Sequence, residues 1–100
     1  MKQSYVHFGM GHAQKLSTEL KAVNNEMKGL LDRLPLKEHM EIAELSKLAK
    51  TQTRLMEKAA RPGTEKERAF LDRERYSAMY LRQRYSRALF TGGVRRLIRI

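Results

Sequence analysis

Two proline breaks interrupt a run of apolar residues spaced three and four apart, and this punctuation limits the chain to a few short helices. Leu16, Leu20, Val23, Met27, Leu30 and Leu34 fall on one stripe of a first helix over residues 12–33. Glu19, Lys21, Glu26 and Lys28 occupy its other faces. Gly29 weakens it near the end by about 1 kcal/mol relative to alanine. Pro35 disfavours helix in Leu34 and suits the first turn of a new one. A second helix is therefore expected from Leu36 to Ala60, with Ile42, Leu45, Ala49, Gln52, Met56 and Ala59 as its stripe, widened by Leu48 and Leu55. The short connection at Leu34-Pro35 favours an antiparallel hairpin over a kinked rod, because each stripe needs a partner to cover it.

Arg61-Pro62-Gly63-Thr64 is the sharpest boundary in the chain. Thr64 followed by Glu67 is a capping box, in which hydroxyl and carboxylate satisfy backbone amides at a new helix start. Glu65 and Glu67 also suit the positive end of that helix. The third helix should run from Glu65 to about Phe90, where Thr91-Gly92-Gly93 stops it. Residues 1–11 read as a lead-in whose alternating Val6, Phe8 and Met10 give a weak strand signal, or a loop tucking Phe8 into the core, stopped by Gly9 and Gly11. The tail Val94-Arg95-Arg96-Leu97-Ile98-Arg99-Ile100 suits an edge strand or a docking peptide. The expected fold is all-α: a helical hairpin plus a third, basic helix, with short irregular or strand-like termini. It forms one small domain, residues 1–61 holding the lead-in and hairpin and residues 62–100 the arginine-rich helix and tail.

Charge is the strongest functional signal. Twenty-one Lys and Arg against eleven Asp and Glu give +10 at neutral pH. Such a surplus draws phosphate backbones, anionic lipids or acidic protein surfaces, and nucleic acid or a machine that handles it is the leading expectation. After Arg75 no acid occurs, while Arg82, Arg84, Arg87, Arg95, Arg96 and Arg99 remain, and no lysine lies beyond Lys66. Arginine presents a planar fork that grips phosphate or carboxylate and stacks on flat groups, which points to a shaped interface more than a loose cationic tail.

Aromatic residues interleave with those arginines. Arg73, Tyr76, Tyr80, Arg84 and Arg87 recur along one face of the third helix, while Phe70, Ala78, Leu81, Tyr85 and Leu89 form a second stripe expected to face the core. The first face, with Arg95, Arg96 and Arg99, is the expected partner-binding surface. Tyrosine and arginine anchor protein interfaces, and tyrosines also stack on exposed bases. The plain alternative is that the tyrosines cover the hairpin and the arginines stay solvated.

Other chemistry lacks its parts. No cysteine is present, so disulfides and thiolate chemistry are excluded. No apolar run approaches the roughly 20 residues that cross a bilayer, and no signal-peptide core follows Met1-Lys2-Gln3-Ser4-Tyr5. A cytoplasmic protein without membrane partners is expected. His7 and His12 flank a glycine loop but find no third metal ligand nearby, and His39 stands alone. Glu38, Glu41 and Glu44 sit among solvating partners such as Lys47, without a pocket to shift their pKa values. Neither a nucleophile elbow nor a phosphate-binding glycine loop is found. The chain is expected to be no enzyme, with no cofactor and no metal.

Pro62 and Gly63 are a candidate hinge, which a prolyl isomerase would serve by setting the Arg61-Pro62 isomer. An ordinary trans helix stop is the preferred reading. The leucine stripes also suffice for a short coiled coil in a homodimer.

In size, lack of cysteine, helical pattern, the Arg61-Pro62-Gly63 break and the basic ending, the chain resembles the small anti-RecBCD modulator proteins of lambdoid phages, those of the second type in the anti-RecBCD pair. The resemblance implies a phage protein in the host cytoplasm that binds the RecBCD helicase-nuclease, through RecC. It would modify the handling of double-stranded DNA ends, and so DNA repair, in favour of phage recombination. It assigns no residue a role. The alternatives from the residues themselves are a basic nucleic-acid-binding accessory protein (relaxosome, nucleoid or ribosomal) and a structural helical adaptor.

Overall fold

Apolar residues at helical spacing become the inner faces of three helices: α1 over Lys2–Leu31, α2 over His39–Ala59 and α3 over Glu65–Thr91. The computed structural model describes residues 2–61 and 64–91, with side chains over residues 11–61 and 64–90. Among the described residues there is no strand, and the chain is all-α. The Pro62-Gly63 hinge and the tail with Arg95, Arg96 and Arg99 lie outside them.

The lead-in is corrected by the structure, because α1 is already helical from Lys2. Nothing upstream of Pro35 forbids this: each glycine costs a helix only about 1 kcal/mol against alanine, and a long helix with a well-buried stripe absorbs that. Alternation at Val6, Phe8 and Met10 is too short to compete. The start of α2 also moves, from Leu36 to His39. Leu36 is buried in the connection, so the chain stays non-helical long enough to place that side chain in the core. Glu38 caps α2 with extended backbone and no side-chain bond, and the Leu34-Pro35 peptide is cis.

The start of α3 follows the expected capping box. The Glu67 amide donates to Thr64 Oγ1 at 3.1 Å, and the Thr64 amide donates back to Glu67 Oε1 at 3.1 Å. Both orphan amides are thus satisfied at the helix entrance.

Cross-helix contacts define an up-down-up bundle. Glu74 meets Asn24 and Arg84 meets Asp32, so α3 runs parallel to α1. Gln52 meets Asn24, Arg33 meets Glu41 and Arg82 meets Thr53, so α2 runs antiparallel to both. The bundle measures 57 × 20 × 18 Å, so its cross-section holds one shared apolar row and no second layer. That row includes Leu16, Leu20, Val23, Met27 and Leu31 from α1, Leu45, Leu48, Ala49, Leu55 and Ala59 from α2, and Leu71, Ala78, Leu81 and Ala88 from α3. Phe70, expected in the α3 stripe, is 40% exposed, and Leu71 takes the buried position instead. The period is right but its phase shifts by one residue near the start of the helix.

A polar link crosses this core. Gln52 is wholly buried and Asn24 is 4% exposed. The Gln52 amide donates to Asn24 Oδ1 at 2.9 Å, and Asn24 Nδ2 donates to the Glu74 carbonyl oxygen at 3.1 Å, joining all three helices. Truncating Asn24 strips the buried Gln52 amide of its acceptor. Asn24→Ala should therefore cost about 1–3 kcal/mol in urea unfolding, and an Asn24→Leu, Gln52→Leu double variant should lose less than the two single changes summed. Gly29 offers the opposite test, since a methyl group there meets nothing within 4 Å. Gly29→Ala should stabilise the fold by about 1 kcal/mol in the same measurement.

Candidate functional site

The outward face of α3 exists because the helix buries only a narrow strip. Leu71, Ala78, Leu81 and Ala88 turn inward, and residues half a turn away must face water. On an ordinary solvated face these would be lysines and glutamates. Here Tyr76 is 65% exposed, Tyr80 59%, Met79 51% and Phe90 79%. Arg73 and Arg87 are exposed on the same side of the helix. The structure thus brings together four of the five expected α3 site residues, Arg73, Tyr76, Tyr80 and Arg87. It adds Met79 and Phe90, which sequence reasoning left out although both follow Tyr76 at steps that keep them on its side of the helix.

Arg84 has a different place. It is partly buried and its guanidinium lies 2.9 Å from Asp32 Oδ1, tying the end of α3 to the end of α1. Two more α3 arginines are held within the chain, Arg75 by Asp72 at 3.2 Å and Arg82 by the Thr53 hydroxyl. Among the described residues Arg73 and Lys21 have no carboxylate partner.

Between α1 and α3 runs a groove of about 320 Å³. Lys21, Asn25 and Lys28 line its α1 wall and Arg73, Ser77 and Tyr80 its α3 wall, with Asn24, Glu74 and Leu81 also contributing to its lining. The lysine wall escaped the sequence reading because only the parallel pairing of α1 with α3 sets these residues opposite the arginine-tyrosine face. A second depression, of about 390 Å³, lies where Ala13, Leu16 and Leu71 meet Lys58 and Arg61. Among the described residues no group of three or more His, Asp or Glu side chains is placed to hold a metal ion. No described helix is long and apolar enough to cross a membrane.

Asp32 is the charged hub of the groove's far end. The Lys28 ammonium at 2.9 Å and the Arg84 guanidinium hold its carboxyl below the ordinary aspartate value. A depressed folded value means the pair stabilises the fold above the unfolded pKa of about 3.9, and that this is lost as pH falls through the lower folded value. Asp32→Asn should therefore be less stable than the parent at neutral pH, by the small margin of a solvent-open pair. Thermal melts across an acid series should show the gap closing below the carboxylate range. A gap that persists at the acid end would assign the loss to something other than the ion pair.

No family model, curated protein or solved structure matches this chain.

Proposed function

We propose that this protein is a non-enzymatic regulator that docks the outward face of α3 onto an acidic surface of a DNA-processing machine. The observation that carries the reading is the exposure of Tyr76, Met79 and Tyr80 beside Arg73 and Arg87 on one helical face. Exposed aromatic and thioether side chains gain when a partner covers them, and arginines among them select for carboxylates. A second copy of this face is a poor partner, because the chain carries +10 and like charges would meet. The resemblance to the anti-RecBCD modulators supplies the machine: the RecBCD helicase-nuclease of the host cytoplasm, bound through RecC, with its action on double-stranded ends altered in favour of recombination. A bundle one apolar row thick has little room to desolvate an acid or base, which also favours regulation by docking over catalysis.

Purified, nuclease-treated RecBCD titrated with the chain at moderate salt tests the proposal. A defined complex is expected, together with a change in nuclease activity on linear duplex ends. Tyr76→Ala and Met79→Ala, both at exposed helical positions, should keep the fold. An interface anchor should weaken the complex about thirty-fold on truncation. Absence of a complex, or variants that bind as the parent does, would remove this reading.

A further inference from the structure

The groove between α1 and α3 is a second surface, which shares Arg73 and Tyr80 with the docking face but takes its opposite wall from α1 and leaves out Tyr76 and Met79. Its cations come from both walls. Lys21 and Arg73 have no carboxylate partner among the described residues, and Lys28 adds a third charge while sharing Asp32. The single carboxylate in the lining, that of Glu74, has one oxygen 3.4 Å from the Asn24 amide that donates to it. Asn25 and Ser77 contribute neutral hydrogen-bonding groups, and the exposed ring of Tyr80 stands on the α3 wall.

Order along the groove matters as much as content. Lys21 and Lys28 lie one heptad apart on α1, and Arg73 and Tyr80 one heptad apart on α3, each pair spanning about 10.5 Å of helix axis. With the Asn24–Glu74 contact fixing the parallel alignment, Lys21 and Arg73 mark one end and Lys28 and Tyr80 the other. We propose that this groove binds a single-stranded nucleic acid, with phosphates at Lys21 and Arg73 and a base stacked on Tyr80.

The chemistry favours this ligand over other anions. A phosphodiester strand alternates compact anions with flat bases, and the groove alternates cations with a flat ring and neutral donors. Acidic side chains would use the cations but have no need of the ring. Packed helix axes lie about 8–10 Å apart, so the crevice between two of them admits one strand and excludes a double helix. The volume, about 320 Å³, lies at the small end of ligand sites and suits a short stretch of strand in contact at a time. This goes beyond docking on a protein machine, and it stands even if the Tyr76 face binds nothing.

Fluorescence anisotropy of labelled oligothymidylate with the full chain, over a salt series, tests it. The strand should bind more tightly than a duplex of equal length. Lys21→Ala with Arg73→Ala should lower the magnitude of the log–log salt slope by about 1.4, at about 0.7 per phosphate released. Tyr80→Ala should weaken binding about ten-fold while Tyr80→Phe retains it, because the ring and not the hydroxyl stacks. Two controls separate the groove from bulk charge and from the docking face. Lys47→Ala with Lys50→Ala, exposed on α2, should leave the slope unchanged, and Tyr76→Ala should leave strand affinity unchanged. An equal slope loss from the α2 pair, full affinity in Tyr80→Ala, preference for duplex, or equal displacement by polyglutamate would each overturn the proposal. Circular dichroism of every variant should match the parent, and a variant that loses helicity is replaced by Lys21→Gln or Arg73→Gln for the same reading.

Discussion

How narrowly α3 is buried governs what the rest of the molecule can present. Two of its four buried apolar residues, Ala78 and Ala88, are alanines at 0% and 3% exposure. Their small side chains let the helix sit close against α1 and α2 but remove little apolar area from water. Leu71 and Leu81 are its larger buried side chains, with half-buried Tyr85 and Leu89 packed beside them. A 27-residue helix seated on so thin a strip keeps the larger part of its circumference outside. The aromatic, thioether and guanidinium groups there are a consequence of that geometry as much as of composition.

The arginines of α3 divide by what the neighbouring helices offer them. On the α2 side Arg82 finds the Thr53 hydroxyl, and near the end of α1 Arg84 finds Asp32. Both cations serve cohesion, in place of apolar contacts that α3 lacks. Arg73 faces an α1 wall carrying Lys21 and Lys28, and among the described residues it forms no ion pair. Net charge alone does not separate these cases. The partner across the groove does.

Local chemistry was readable in the sequence wherever it depended on neighbours within one or two turns. The α1 and α2 stripes from Leu16 to Met27 and from Leu45 to Ala59 became the core, and Thr64 with Glu67 formed its capping box. Error entered where a weak local signal met a stronger non-local one. The alternation around Phe8 yielded to helix propagation from a well-packed α1. Phe70 yielded its inward position to Leu71, because the packing of α3 on α1 and α2 sets the phase of the helix. Of the site, the exposed Tyr76 and Tyr80 with Arg73 followed from spacing. The Lys21–Lys28 wall could not, since it exists only once α3 lies parallel to α1. Asn24 went unnoticed because a polar residue on an amphipathic helix reads as solvent-facing until its partners from two other helices are known.

The amide link at the centre also bears on which bundle forms. A row of leucines and alanines packs nearly as well after one helix slides by a turn, since aliphatic contacts are interchangeable in kind. Hydrogen bonds are not. Sliding α2 by about 5.4 Å would carry the Gln52 amide away from Asn24 and leave both groups dry and unpaired, and sliding α3 would take from the Asn24 amide its acceptor on Glu74. One polar layer thereby sets the vertical alignment of three otherwise greasy faces, as single buried amides do in coiled coils. The same alignment puts Lys21 across from Arg73, so the groove inherits its order from a contact buried beneath it.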